Sequence, residues 1–175
     1  MEPKIIRPFG DAPLAEIQAH VREIRRAFDW PGIPYHDAAV ENEGDKFNRW
    51  FWHNLPLLKL YHHDLDFLKL ACESFQNDVK PSYSFLSMYG KEGVCPPHTD
   101  RGQCQFTIDL VINQDGEWPL YIDDKPYILK VGDAVCYSGT EQRHFRNKMK
   151  HDSKATYCDL AFFHFVPTTW MGKVD

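Results

Sequence analysis

The chain has 175 residues, 43% of them hydrophobic and 26% charged, and a formal net charge of −5. That length suits one domain with a real core, and the composition excludes a disordered or collagen-like chain. No apolar run nears the ~18 residues of a membrane span, and no basic cluster marks a nucleic-acid reader.

Met1-Glu2-Pro3-Lys4-Ile5-Ile6 lacks the apolar centre of a secretory signal, so a cytoplasmic location is expected. The five cysteines (72, 95, 104, 136, 158) contain no C-x-x-C pair. Reduced thiols are expected, not a disulfide framework or zinc ribbon.

Asp11 and Pro13 read as a helix start. Leu14, Ile17, Val21, Ile24 and Phe28 then recur at steps of three and four, one apolar helical stripe. Trp30-Pro31-Gly32-Ile33-Pro34 stops it. Residues 31–55 read as irregular, with Phe47, Trp50, Phe51 and Trp52 crowded near the end. Asn54 ahead of Pro56 opens a second helix with a stripe of Leu58, Tyr61, Leu65, Leu68, Cys72 and Phe75. His62-His63-Asp64 falls outside that stripe and is expected on a solvated face.

After Pro81 the period changes from helical to two. Tyr83, Phe85, Ser87 and Tyr89 alternate, as do Phe106, Ile108, Leu110 and Ile112. Short strand-like runs follow at 118–122, 126–130, 133–137 and 155–166, separated by Asn113-Gln114-Asp115-Gly116, Asp123-Asp124, Val131-Gly132-Asp133 and Ser138-Gly139. Two helices and then many short strands predict an α+β domain with a double-sheet, jelly-roll core. The whole of 1–175 reads as one domain, 1–80 a helical cover and 81–175 the β-core.

The chemistry concentrates in the β half. His98 and Asp100 lie two apart, so on an extended segment both point to one face. Pro96-Pro97 keeps their approach out of helix. His144 follows a strand and a turn, from which a second sheet can bring it opposite the pair. Two imidazoles and one carboxylate on one face of an octahedral metal leave the other face open, as in the facial triad of non-haem iron(II) oxygenases. Each residue alone has an ordinary structural reading; their joint placement in an all-strand half favours the metal.

At these residues the chain resembles the 2-oxoglutarate/Fe(II)-dependent dioxygenases, in their prolyl-hydroxylase-like branch. The resemblance covers about residues 82–166 and rests on Tyr89-Gly90-x-x-Gly93, His98-Thr99-Asp100-Arg101, Trp118-Pro119-Leu120-Tyr121, Gly132-Asp133-x-x-x-Tyr137, His144-x-Arg146 and Phe162-Phe163-His164-Phe165. It implies a double-stranded β-helix, iron(II) held by His98, Asp100 and His144, 2-oxoglutarate as cosubstrate, and dioxygen as oxidant. Because Asp100 keeps the carboxylate ligand, halogenation is disfavoured; hydroxylation is the default outcome, and desaturation or cyclisation would use the same oxidant.

In that branch a Lys or Arg past the distal histidine pairs with the far carboxylate of 2-oxoglutarate. Lys154, ten residues past His144, matches that spacing, against an exposed loop lysine as the plain alternative. Arg146, two past His144, is the competitor: it anchors the cosubstrate, grips an acidic group on the prime substrate, or forms an ordinary salt bridge. Tyr89, nine before His98, either hydrogen-bonds the cosubstrate or packs in the core. Arg101 is placed to reach substrate or support the site, and Trp50, Phe51 and Trp52 to form an aromatic wall or simply pack. His164 is expected to be structural, and Cys104 and Asp109 have no assigned role.

No separate peptide-binding module is visible, so the expected partner is a small molecule, an amino acid or a peptide side chain. Two other readings stay open. One is a metal-dependent isomerase or lyase of cupin type that uses no 2-oxoglutarate. The other is a non-catalytic binding protein on the same fold.

Overall fold

A computed structural model describes residues 1–28, 47–149 and 155–174. The stop predicted at 30–34, Lys154 and its neighbours His151 and Asp152 lie outside them.

The chain opens with strand β1 (Lys4–Ile6) and helix α1 (Asp11–Phe28). Strand β2 (Arg49–His53) precedes helices α2 (Pro56–His62) and α3 (Leu65–Phe75). Strands β3 (Val79–Tyr89), β4 (Cys95–His98), β5 (Phe106–Gln114), β6 (Leu120–Ile122), β7 (Lys125–Tyr127), β8 (Ala134–Ser138), β9 (His144–Arg146) and β10 (Cys158–Pro167) complete it. The strands form two antiparallel sheets: a major one in the order β1-β8-β5-β10-β3-β2 and a minor one in the order β4-β9-β6-β7. The core is the double-stranded β-helix that the strand pattern predicts.

Alternation along the major sheet divides the interior in two. Leu86 and Met88 of β3, Ile108, Leu110 and Ile112 of β5, and Phe163 and Phe165 of β10 meet Ile17, Val21, Leu58, Phe67 and Phe75 of the helices. The other face, with Tyr89, Val111, Tyr137, Cys158 and Leu160, meets Trp118, Leu120 and Ile122 inside the barrel. A charged key crosses the helix side. Arg25 of α1 donates to the wholly buried Asp159 through Nε (3.0 Å) and to the Tyr89 carbonyl through Nη2 (3.0 Å). Asn113 Nδ2 donates to the other Asp159 oxygen at 3.2 Å.

Three local expectations differ from the structure. The first 80 residues are not a purely helical cover, because β1 and β2 form the two edges of the major sheet. Arg49-Trp50-Phe51-Trp52-His53 hides its strand periodicity because both of its faces meet protein: Trp50 and Trp52 pack on the helix side, and the Phe51 ring meets Phe85 at 5.1 Å. Asn54 extends this pairing, bonding Ser84 through both backbone (2.8 Å) and side chain (3.0 Å), and does not cap a helix.

The single helix predicted from 56 to 75 is two. Asp64 accepts from the backbone N–H groups of Asp66 (3.0 Å) and Phe67 (3.1 Å) and so starts a new helix. That restart shifts the phase of the stripe: Leu65 is 80% exposed, while His62, expected in solvent, is wholly buried. The His62 ring packs on Phe163 (5.4 Å) and Phe165 (4.7 Å), and burial pulls its pKa down to about 3.

Candidate active site

β4 and β9 are neighbours in the minor sheet, and their register sets His98 directly against His144. The two histidines are therefore a cross-strand pair within one sheet, where the sequence suggested opposition across two. Their ring centroids are 4.3 Å apart. Asp100 follows just past the end of β4. Its Oδ1 lies 3.5 Å from His98 Nε2 and 3.6 Å from His144 Nε2.

Each imidazole is oriented by its own chain two residues back. His98 Nδ1 lies 2.7 Å from the Pro96 carbonyl and His144 Nδ1 lies 3.0 Å from the Gln142 carbonyl. A carbonyl only accepts, so Nδ1 carries a proton in both rings, and both Nε2 atoms turn toward Asp100. Three ligand atoms thus lie within 4.8 Å of one another, a donor set suited to a divalent cation.

Electrostatics agree with the geometry. Burial disfavours charge on Asp100, but the approach of His144 and His98 outweighs it and holds the carboxyl below the usual carboxylate range. Contact with Asp100, and then with Cys95, pushes the His98 imidazolium up to about 10. The cluster favours a positive charge between the three groups, which a cation held there would supply in place of the proton.

Asp100 is held from behind. Its backbone N–H donates to the Gly139 carbonyl at 2.8 Å, and the Gly139 N–H donates to the Gln105 carbonyl at 3.0 Å. A Cβ at Gly139 would stand 2.3 Å from the Cys104 carbonyl oxygen and 2.5 Å from Asp100 Oδ2, so only glycine fits. Thr107 Oγ1 donates to Asp100 Oδ2 at 3.5 Å. With that hydroxyl proton spent, His164 Nδ1–H donates to Thr107 Oγ1 at 3.1 Å. Burial lowers the His164 pKa to about 4.

Asp100, Cys104 and His164 also come within 4.8 Å of one another. Burial and then Asp100 push the Cys104 thiol up to about 11, however, and a metal ligand must be thiolate. His98, Asp100 and His144 are the better donors.

These residues line a cavity of about 170 Å³ together with Arg49, Tyr83, Tyr89, Asp109, Tyr137, Arg146 and Phe162. Arg146 shares the cavity with His144, as its spacing predicted. It is 2% exposed; Nη2 pairs with Asp109 Oδ2 at 3.0 Å and Nη1 donates to the Trp118 carbonyl at 2.6 Å. The guanidinium lies 5.2 Å over the Trp118 ring. Burial works against its charge, and Asp109 more than restores it. Tyr89 is wholly buried beside them, its ring 4.8 Å from Trp118 and its hydroxyl accepting from Arg49 Nη1 at 3.1 Å.

Arg101 lies 4.8 Å over the Tyr83 ring, and the Tyr83 hydroxyl is 3.0 Å from Cys104 Sγ. Sequence reasoning missed Arg49 and Asp109. Asp109 was visible as a lone carboxylate in an apolar strand, and Arg49 was hidden with β2.

No family model matches this chain, and no curated protein matches it in sequence. Solved structures do. HygX from Streptomyces hygroscopicus with nickel, 2-oxoglutarate and hygromycin B bound superposes with a TM-score of 0.67 at 11% identity, over 96% of this chain and 84% of that one. The chain has the fold of the 2-oxoglutarate-dependent oxygenases.

SnoN, a non-haem α-ketoglutarate-dependent epimerase of nogalamycin biosynthesis, matches with a TM-score of 0.68 at 10% identity, over 95% and 78%. A prolyl-4-hydroxylase from Pseudomonas putida matches with 0.62 at 14%, over 94% and 92%. The likeness covers 94–96% of this chain, so it is not confined to the stretch that carries the motifs. Among the described residues no helix is long and apolar enough to cross a membrane.

Proposed function

We propose that this protein is an Fe(II)- and 2-oxoglutarate-dependent oxygenase that hydroxylates an unactivated C–H bond of a small molecule, amino acid or peptide side chain. The observation that carries this reading is the convergence of His98, Asp100 and His144 on the cavity that also holds the buried cation Arg146. Support comes from HygX, whose crystals hold nickel and 2-oxoglutarate on the same fold. The fold also serves epimerisation in SnoN, so the outcome of the reaction rests on the substrate.

His98 Nε2, His144 Nε2 and an Asp100 oxygen would hold the iron. When bound, iron(II) and 2-oxoglutarate supply the oxidation: dioxygen is reduced, the cosubstrate leaves as succinate and carbon dioxide, and one oxygen atom enters the substrate. Arg146 receives the far carboxylate of 2-oxoglutarate, since its fork keeps N–H donors beyond those given to Asp109 and Trp118. Asp109 fixes that fork, and Tyr89 and Trp118 close the wall beside it against water. Thr107 and Gly139 hold Asp100 in place throughout.

The test is an anaerobic titration with iron(II) and then 2-oxoglutarate, following the weak visible charge-transfer band of the chelate. The wild-type protein should show the band, and His98→Ala and Asp100→Ala should lose it with an unchanged near-ultraviolet dichroism spectrum. Arg146→Lys should need more 2-oxoglutarate to reach it than Lys154→Ala does, and the reverse order would move the anchor to Lys154. Iron binding without a band would overturn the proposal in favour of a cupin-type isomerase or lyase.

A further inference from the structure

The three ligands of the proposed metal site come from separate segments, and one side chain that is not part of the cavity wall links the backbones behind two of them. Gln142 lies in the turn between β8 and β9, two residues before His144, and is 7% exposed. It takes both main-chain groups of Ser138, the last residue of β8. The Gln142 N–H donates to the Ser138 carbonyl at 2.9 Å, and Gln142 Oε1 accepts from the Ser138 N–H at 3.0 Å. At the other end of the amide, Nε2 donates to Asp123 Oδ2 at 2.9 Å. A backbone N–H only donates and a carboxylate only accepts, so these partners fix which way the amide points.

Ser138 belongs to the major sheet, whereas Asp123 sits in the turn joining β6 to β7 of the minor one. The amide therefore bolts one sheet to the other, and both anchors lead to the metal site. Ser138 is followed by Gly139, whose carbonyl receives the Asp100 N–H. Asp123 and Asp124 form a tight hairpin turn with φ of 49° and 63°, directly after Ile122, the register partner of His144. The Asp123 N–H donates at 2.8 Å to the carbonyl of Arg143, the residue between Gln142 and His144. The Gln142 carbonyl itself faces His144 Nδ1 at 3.0 Å. A side chain clamped at both ends leaves that carbonyl little freedom to turn away from the imidazole.

We propose that Gln142 is a positioning residue whose amide locks the two sheets together, so that His144 and Asp100 meet one metal ion at a fixed separation. This rests on the metal site of the function proposed above, and the experiment separates the two. Iron(II) affinity is measured anaerobically by competition with a chelator. The ligand-field spectrum of the cobalt(II)-loaded protein is recorded beside it, because that spectrum reports geometry at the metal and not the stability of the fold.

Gln142→Leu removes both side-chain bonds at similar volume. It should bind iron(II) about tenfold or more weakly, as loss of the groups that orient a metal-binding histidine does, and should change the cobalt spectrum. Gln142→Glu sets a second carboxylate against Asp123 and should do the same. Gln142→Glu combined with Asp123→Asn exchanges donor and acceptor across the contact and should restore both affinity and spectrum. Arg143→Ala, which loses the exposed pair with Asp124 in the same turn, should leave both as in wild type. A Gln142→Leu protein with lowered Tm but wild-type iron affinity and cobalt spectrum would make Gln142 merely structural and overturn the inference. A double variant no better than Gln142→Glu alone would overturn it too, and that comparison decides if Gln142→Leu does not fold. Wild-type protein that binds iron(II) without forming the 2-oxoglutarate band would sink the oxygenase reading, while a Gln142 effect on iron affinity would still uphold this inference. Wild-type protein that binds no iron would sink both.

Discussion

Gly139→Ala tests whether the Asp100 carboxylate depends on a close approach behind it. The added Cβ would lie 2.3 Å from the Cys104 carbonyl oxygen and 2.5 Å from Asp100 Oδ2, against roughly 3.5–4.0 Å for an ordinary contact. Neither neighbour is a flexible side-chain end free to swing away: one is backbone, and the other is held by Thr107 and the two histidines. The backbone must therefore shift by about an ångström, which for overpacking costs about 1–3 kcal/mol.

In a domain of this size each kcal/mol lowers Tm by about 2–4 °C. The same shift misplaces Asp100, and misplacement on that scale costs about a hundredfold in rate where positioning matters. The assay is thermal unfolding together with iron(II) titration, with Gly10→Ala as control. A Cβ at Gly10 meets nothing within 4 Å, and its place as the residue capping α1 predicts a loss of up to about 1 kcal/mol with no effect on iron affinity. If Gly139→Ala matches the control in both Tm and iron affinity, the buttress does not act as described.

Two further predictions concern buried charge. Arg146→Ala leaves Asp109 without its partner in a closed interior and should destabilise by about 3–5 kcal/mol in urea unfolding. Arg146→Met with Asp109→Leu should recover most of that stability but not the response to 2-oxoglutarate, and failure of the double variant to recover would show that the cost is not electrostatic. His62 is neutral in the fold because burial holds its pKa at about 3, whereas the unfolded chain takes up a proton near 6.5. Its contribution is thus complete above pH 6.5 and declines as pH falls toward 3. Between pH 6.5 and 5 it should remove about 2 kcal/mol of stability. His62→Leu should flatten that slope, and an unchanged urea midpoint difference between pH 7 and 5 would refute the assignment.

The parts of this molecule that were legible in sequence are those set by local periodicity. Alternation through Tyr83–Tyr89 and Phe106–Ile112 marks strands, and the two-residue step from His98 to Asp100 marks a shared face whatever surrounds it. Arg146 was legible in the same way, as a residue in phase with His144. Asp109 was not, because its meaning depends on Arg146 reaching it from the other sheet, a relation no local pattern encodes. β2 escaped because a strand covered on both faces loses its alternation. His62 escaped because one N-cap at Asp64 breaks what reads as a continuous stripe.

The Arg25–Asp159 contact sets where this architecture can be recombined. Arg25 comes from a covering helix, whereas Asp159, Asn113 and the Tyr89 carbonyl come from three adjacent strands whose other faces line the cavity. A helix grafted from another barrel, lacking that arginine, would strand a carboxylate in a closed interior and loosen the strand that carries Tyr89. The contact ties cover to barrel, and a chimera that is to keep it must be cut elsewhere than between them.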